Sequence, residues 1–304
     1  MMTAPMTIPS AKGLTEKAML VMVSISQWTA SKLDPQVTEK VNEDHFARRD
    51  AGRWRKLLVP KEALAAVAAI ASETRCFHYA QTLPWHDAGP RILPAKNYLH
   101  YSQELQQKKG AFEHAVAEFL DQYDLYRSQA PVRLGTMYNP KDYPTVEQLG
   151  RKFALEVSVS PLPAAQDFRV ALADEEIRTI QAGLEARLVT AQAAAMKDLW
   201  QRLYDAVFRM MERLTALDTQ ETRRLYTSVV TNLQDLVDLL PRLNLNDDPA
   251  LENMRREVEA RLCRYTRDDL KDNPRIRKWV KEDARAILDA MSGFIGGGHA
   301  QHQG

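Results

Sequence analysis

The clearest hydrophobic pattern in the chain runs through residues 174–217, where apolar side chains recur at every third or fourth position. This spacing predicts a single amphipathic helix that begins at Asp174 and ends at Leu217. At 1.5 Å per residue the helix is about 65 Å long, so it must pack against equally long helices or project from the body. The stripe consists of Ile177, Ile180, Leu184, Leu188, Ala191, Ala195, Leu199, Leu203, Val207, Met210, Leu214 and Leu217.

Helix signals continue to the end of this half of the chain. Asp218 and Glu221 have the spacing of a capping box, and the return helix is predicted to stop at Pro241. Asp248-Pro249 and Asn273-Pro274 each place an N-cap residue before a proline at the first helical position, which predicts two further helices. We therefore predict a helical hairpin extended to a bundle or coiled coil.

The N-terminal half contains three short segments in which apolar and polar residues alternate. They cover Val21–Trp28, Leu155–Ser160 and Phe168–Leu172. Such alternation predicts strands with one buried face. Together they predict a small antiparallel sheet that ties the N-terminus to the middle of the chain.

Three helices are predicted between the strand segments. The first begins after Asp34-Pro35, ends near residue 47 and buries Val37, Val41 and Phe46. An Ala-rich helix and a longer helix follow it; they cover 61–77 and 94–126.

These elements predict a mainly α protein of the α+β class. The prediction is a helical N-terminal domain with a small antiparallel sheet, followed by a long helical hairpin or bundle. The predicted boundaries are a flexible tail at 1–13, an N-terminal α+β domain at 14–173, a C-terminal long-helix bundle or coiled coil at 174–295 and a second tail at 296–304.

Composition narrows the classes of function. The chain has 304 residues and a formal net charge of +1, which argues against a protein that coats nucleic acid by bulk electrostatics. Its two cysteines do not make a disulfide framework, and the apolar run from Met19 to Ile25 is too short for a signal or a membrane span. A soluble protein of a reducing cytoplasm is expected.

Two basic stretches each surround a tryptophan, and cations beside an aromatic ring suit a nucleic-acid backbone with a stacked base. The alternative is a solvated turn, which is the usual role of a charge run. The nucleic-acid candidates are Arg48, Arg49, Arg53, Trp54, Arg55 and Lys56 in the first stretch and Arg275, Arg277, Lys278, Trp279 and Lys281 in the second.

The stretch 74–101 concentrates histidines, tyrosines, prolines and one cysteine around a short loop. Its spacings do not match zinc sites, and Cys76 and His78, two apart on a helix, point to different faces. No metal, cofactor or catalytic residue is predicted, although a metal-dependent hydrolase centred on residues 78–100 stays an alternative that metal analysis would test. The loop is best interpreted as a rigid connection between helices, with His86, Asp87 and Arg91 as its exposed recognition candidates.

Short motifs in this region also resemble a known family. They are Thr82-Leu83-Pro84-Trp85, Asp87, Gly89, Arg91-Ile92-Leu93-Pro94, Asp142-Tyr143-Pro144, Pro161-Leu162-Pro163 and Asp167-Phe168-Arg169. With these residues the chain, over about 18–172, resembles an uncharacterised family of phage, plasmid and integrative-element proteins. Members of that family resemble neighbours of MoxR-type ATPases and von Willebrand A-like proteins. The resemblance implies an accessory role in a mobile element and supplies no catalytic residues.

Two main hypotheses of function follow. The first is a non-enzymatic phage or mobile-element accessory protein that self-assembles or docks a protein partner, with an AAA+ ATPase as the partner that the resemblance suggests. The second is a DNA-binding or single-strand-annealing accessory in recombination that uses the two basic stretches.

Overall fold

The computed structural model describes residues 11–85, 89–164, 174–219 and 227–295. The fold is mainly helical with small antiparallel sheets, so the predicted fold class is confirmed. The helices are α1 Ala11–Lys17, α2 Pro35–Asp44, α3 Ala65–Gln81, α4 Tyr98–Leu134, α5 Val146–Gly150, α6 Asp174–Asp218, α7 Thr227–Leu243, α8 Pro249–Leu262, α9 Arg267–Asp272 and α10 Pro274–Ile295. The strands are β1 Ala18–Ser26, β2 Ser31–Leu33, β3 Arg55–Leu57, β4 Arg91–Pro94 and β5 Ala154–Pro161.

The chain divides into two compact units, and neither is one continuous segment. Unit 1 comprises 1–22, 80–99 and 159–304, and unit 2 comprises 23–79 and 100–158. The predicted organisation placed a single boundary near residue 174. In the structure, residues 80–99, which include the first two residues of α4, belong to the same unit as the long helices.

The three helix starts predicted from an Asp-Pro or Asn-Pro pair are confirmed, at α2, α8 and α10. Asp248 caps α8 through its carboxylate, which accepts a hydrogen bond of 2.8 Å from the Ala250 amide. The Asn273 side chain accepts hydrogen bonds from the amides of Arg275 and Ile276 at the start of α10. In both helices the N-cap side chain accepts hydrogen bonds from amides of the first turn, which have no carbonyl partner within the helix, as the sequence predicts.

Two other boundary predictions fared differently. Helix α7 continues through Pro241 to Leu243, so the predicted stop is wrong by two residues. A proline in the last turn removes only one amide from the helical ladder, which limits its effect. Asp218 is the last residue of α6, while its predicted capping partner Glu221 lies outside the described residues.

The three-stranded sheet has the order β4-β1-β5. Strand β1 was predicted near its observed position, and β4 pairs with it antiparallel, with Ala18 opposite Pro94 and Val21 opposite Arg91. The prediction of a loop up to residue 93 and a helix from residue 94 is wrong here, since Arg91–Pro94 forms β4; a strand of four residues is too short to show alternation. The predicted strand at 168–172 lies outside the described residues.

The core of unit 1 is built along α6. This helix packs along α10 and α7, while α8 packs on both of those helices. Its stripe is buried from Leu188 to Leu214, and Trp200 stacks on Phe294 with ring centroids 4.2 Å apart. The outer part of the same stripe is only half-buried; it comprises Ile177, Ile180 and Leu184. Most of the apolar stripe is therefore buried by other helices of the same chain.

The core of unit 2 is aromatic. Trp28 lies edge-on to Tyr123 at 5.9 Å, and Phe119 contacts both rings. The buried Tyr143 hydroxyl donates a 2.8 Å hydrogen bond to the Leu58 carbonyl, which joins the segment after α4 to the segment after β3. Burial raises the pKa of Tyr123 to about 12, so this phenol stays neutral and serves as a structural donor.

Candidate nucleic-acid interface

Helix α2 ends in a Schellman motif that presents Phe46. The Ala47 amide donates to the Asn42 carbonyl at 2.8 Å, and the Phe46 amide donates to the Glu43 carbonyl at 3.0 Å. Phe46 occupies the position of this motif that is usually glycine, and its φ is +52°. A large L side chain in the left-handed region is strained, so its presence calls for an explanation beyond the fold.

The prediction that Phe46 is buried is wrong, because its exposed fraction is 99%. The predicted burial of Val41 is wrong as well, since its exposed fraction is 41%, and Val37 is half-buried. The helical spacing that assigned Phe46 to the face of these two residues ends at Asp44, where α2 itself ends. The left-handed residue turns the chain and carries the ring into solvent. The sequence analysis did not predict Phe46 as an exposed residue. The available signal was that no Gly or Asn directly follows the short helix α2, so another residue has to take the left-handed position that ends it.

The arginines that follow Phe46 are exposed on a loop held at both ends. Arg48, Arg49 and Arg53 are all exposed, and the Arg49 guanidinium donates a 3.5 Å hydrogen bond to the Glu39 carboxylate in a surface salt bridge. The loop is closed by Trp54, whose amide donates to the Thr38 hydroxyl and whose carbonyl accepts from the Asp34 amide, both at 3.0 Å. The backbone that carries these arginines is therefore fixed at both ends of the loop.

The last two cations of this stretch have structural partners. The Arg55 guanidinium donates to the hydroxyl and the carbonyl of Ser31 in the neighbouring strand. Lys56 is buried and forms ion pairs with Asp34 at 3.2 Å and Asp142 at 2.9 Å. We therefore exclude Lys56 from the exposed basic surface.

Electrostatics confirm that the Lys56 cluster is a paired, charged group. Burial alone lowers the pKa of Lys56, but its hydrogen bonds to Asp142 and Asp34 outweigh burial and the pKa is raised. Burial likewise opposes ionisation of Asp142, yet hydrogen bonds from Lys32 and Lys56 lower its pKa. The pKa of Asp34 is lowered chiefly by the Val37 amide. All three groups stay charged at neutral pH.

The second basic stretch lies in unit 1. Like the first, it contains some cations with structural partners and others that are exposed. Arg277 is buried and donates to Asp218 at 2.7 Å and to the carbonyls of Leu270 and Lys271 at the end of α9. Lys281 also pairs with Asp218. Three members of the stretch remain exposed: Arg275, Lys278 and Trp279, the last with an exposed fraction of 57%.

Arg277→Met should lower the free energy of unfolding by about 2–3 kcal/mol, since charge-assisted hydrogen bonds to a carboxylate and to helix-terminal carbonyls are lost. The neighbouring Lys278→Met should change the free energy of unfolding by less than about 0.5 kcal/mol. The Lys278 side chain is exposed, and its ion pair with Glu282 is long at 3.9 Å and screened by water. Urea denaturation followed by circular dichroism measures both. Equal effects would show that Arg277 is not a structural tie.

Phe46→Gly should leave the free energy of unfolding unchanged or raise it by about 1 kcal/mol. Glycine adopts the left-handed conformation without the strain of a side chain, and removal of a fully exposed ring loses no burial. Thermal unfolding compared with the wild type measures the change. A clear loss of stability would show that the Phe46 ring makes contacts that stabilise the fold.

The stretch 74–101 forms structural contacts where it is described. His78 is buried and its Nδ1 lies 2.8 Å from the Tyr101 hydroxyl, while Cys76 is exposed, as expected for residues two apart on a helix. The Arg91 guanidinium donates to the hydroxyl of Thr82 at 2.7 Å and to its carbonyl at 3.2 Å. Arg91 was predicted to be exposed, but it is half-buried and its guanidinium braces the β4 region.

The other two recognition candidates, His86 and Asp87, lie outside the described residues. Within residues 11–85, 89–164, 174–219 and 227–295, no group of three or more His, Cys, Asp or Glu side chains could hold a metal ion. In the same part of the chain, no helix is both long enough and apolar enough to cross a membrane.

An open groove of about 840 Å³ lies between α6 and α10 in unit 1. We refer to it as the α6–α10 groove. Its lining combines apolar with cationic side chains, and the acids Glu212 and Glu282 also face it. The apolar and cationic members are Phe208, Met211, Arg213, Lys278, Lys281 and Arg285.

Comparisons of the chain with protein-family models, with curated proteins and with solved structures found no match. The resemblance to mobile-element proteins therefore stays a prediction.

Proposed function

We propose that the protein is a non-enzymatic accessory of a phage or other mobile element that acts in the bacterial cytoplasm by docking a protein partner. The α6–α10 groove carries this proposal. Its apolar residues Phe208 and Met211 lie beside cationic side chains. Lys281 is paired with Asp218, which leaves Arg213, Lys278 and Arg285 to attract the acidic face of an amphipathic helix. An AAA+ ATPase is the candidate partner that the family resemblance suggests.

Self-assembly is the other form of this function. The half-buried outer stripe of α6, at Ile177, Ile180 and Leu184, supports it, because this part of the helix retains apolar surface outside the core. The buried part from Leu188 onward is already occupied within the chain.

The experiment titrates the protein with a MoxR-type AAA+ ATPase, the partner class that the resemblance suggests, and measures affinity by calorimetry, with light scattering to record the oligomeric state. Phe208→Ala combined with Lys278→Glu should weaken binding by at least about 10-fold. Lys197→Glu on an exposed position of the same helix is the matched control and should bind like the wild type. A monomer that does not bind the ATPase would refute the proposal.

A second candidate function is nucleic-acid binding by unit 2. The specific observation in its favour is the exposure of Arg48, Arg49 and Arg53 on a loop fixed at both ends. Fluorescence anisotropy with labelled DNA should detect binding, and Arg48→Gln with Arg53→Gln should weaken it and reduce its salt dependence by about two phosphate contacts. Lys152→Gln, an exposed cation of the same unit, is the control. No binding by the wild type at low salt would exclude this function.

A further inference from the structure

We propose that Phe46 is a base-stacking residue that makes unit 2 select single-stranded over duplex nucleic acid. The inference rests on the second candidate function and adds the ligand class and the residue that reads it. A flat aromatic ring stacks on any unpaired base, whereas bases inside a duplex already stack on one another.

Conformational strain and exposure both set Phe46 apart from a residue that serves the fold. The ring is 99% exposed, so its removal exposes no core, and the backbone φ of +52° is one that glycine adopts without strain. Folding alone gives no reason for phenylalanine at this position. Strained residues cluster at functional sites, and an exposed aromatic ring at such a position is available to contact a ligand.

The ring is held on a rigid base. The Schellman hydrogen bonds of Ala47 and Phe46 tie the turn to the end of α2. On the far side of the loop, Trp54 is joined to Thr38 and Asp34 in the first turn of the same helix. A fixed backbone lowers the entropy lost when a base stacks on the ring.

The charges after Phe46 match a phosphate backbone. Residues 46–55 contain four arginines and one acid, Asp50, while Glu43 and Asp44 precede the ring. Arg48, Arg49 and Arg53 can each contact a phosphate, and a guanidinium also stacks on bases. An aromatic ring followed by arginines is the combination that binds single strands without sequence preference.

A membrane surface is a weaker fit for this site. Stable anchoring of a protein to a bilayer needs a sizeable buried apolar area in addition to a basic patch. Here a single phenylalanine protrudes, and the next aromatic residue, Trp54, is half-buried and bonded through its backbone to α2. The proposal therefore commits to single-stranded nucleic acid.

The experiment measures the affinity of the full chain for labelled oligothymidylate of about 20 nucleotides and for a duplex of equal length at about 50 mM salt. The wild type should prefer the single strand. Phe46→Gly and Phe46→Leu should each weaken single-strand binding by about 5-fold or more, with duplex binding unchanged. Phe46→Trp should bind at least as tightly as the wild type, since a larger π-face is retained.

Val132→Ala is the matched control, because Val132 is 92% exposed in the same unit and has no left-handed backbone. It should bind like the wild type. If Phe46→Gly and Phe46→Leu bind like the wild type while the Arg48 and Arg53 variants lose affinity, the stacking role is refuted and nucleic-acid binding stands. If the wild type binds neither DNA, both are refuted. Phe46-dependent sedimentation with anionic phospholipid vesicles, without preference for single strands, also overturns the inference.

Discussion

Replacing Lys56 with methionine is expected to lower the free energy of unfolding by about 3–5 kcal/mol, because two carboxylates are left without their buried counter-ion. The exposed fraction of the Lys56 side chain is 6%, and its ammonium lies 2.9 Å from Asp142 and 3.2 Å from Asp34. It also donates a 2.6 Å hydrogen bond to the Met137 carbonyl. Chemical denaturation of the variant and the wild type measures the difference.

Lys32→Met is the matched control, because Lys32 pairs with the same Asp142 carboxylate at 2.7 Å but its side chain is 53% exposed. Water screens this pair, so its loss should cost less than about 1 kcal/mol. A loss equal to that of Lys56→Met would mean that burial does not decide the strength of these pairs.

The same cluster determines how stability depends on pH. The pKa values of Asp34 and Asp142 are lowered in the fold, so their contribution is present above the ordinary carboxyl pKa and is lost as the pH falls through the lowered values. The pKa of Lys56 is raised, so its contribution is lost only as the pH rises through that value. Stability from the cluster should therefore be constant between about pH 5 and 9. Denaturation at a series of pH values checks this, and Lys56→Met should show a weaker loss in acid.

Leu203→Ala should lower the free energy of unfolding by about 2–5 kcal/mol, because it removes a fully buried side chain from the middle of the α6 stripe. Its neighbours in the core come from α7 and α10, which cannot close the cavity without moving along the length of α6. Denaturant midpoints and slopes for the variant and the wild type measure the change.

Leu184→Ala tests the same substitution on the same helix and stripe, where the side chain is only half-buried. The expected loss is less than about 1 kcal/mol, since little apolar area returns to water and no closed cavity forms. Similar losses at Leu184 and Leu203 would show that an additional surface, such as a second copy of the chain, covers the outer stripe.

Local signals predicted much of the fold. The period of the α6 stripe placed that helix to within one residue of its observed end, and the Asp-Pro and Asn-Pro pairs marked the starts of α8 and α10. These predictions succeed because a helix cap and a helical period depend on residues that are neighbours in sequence. Strands of three or four residues, such as β2 and β4, were missed because they carry too little pattern.

The candidate site was predicted only in part. The sequence marked residues 48–56 as basic and aromatic, but Lys56 and Arg277 could not be distinguished from their exposed neighbours by charge alone. Phe46 was assigned to the core from its helical spacing, whereas the helix ends two residues before it. The ion-pair partners of a buried cation, and the residue at which a short helix ends, depend on contacts with distant parts of the chain. The local sequence pattern carries no information about those contacts.

The sequence by itself determined the fold class, the long α6 helix and the two stretches of cations around tryptophan. Only the tertiary structure decided which parts of those features are exposed. Lys56 meets Asp142 from a distant part of the chain, and the α6 stripe is covered from Leu188 to Leu214 but not at its start. Periodicity and caps arise from short-range hydrogen bonding and geometry, whereas burial depends on the distant segments that pack opposite each residue.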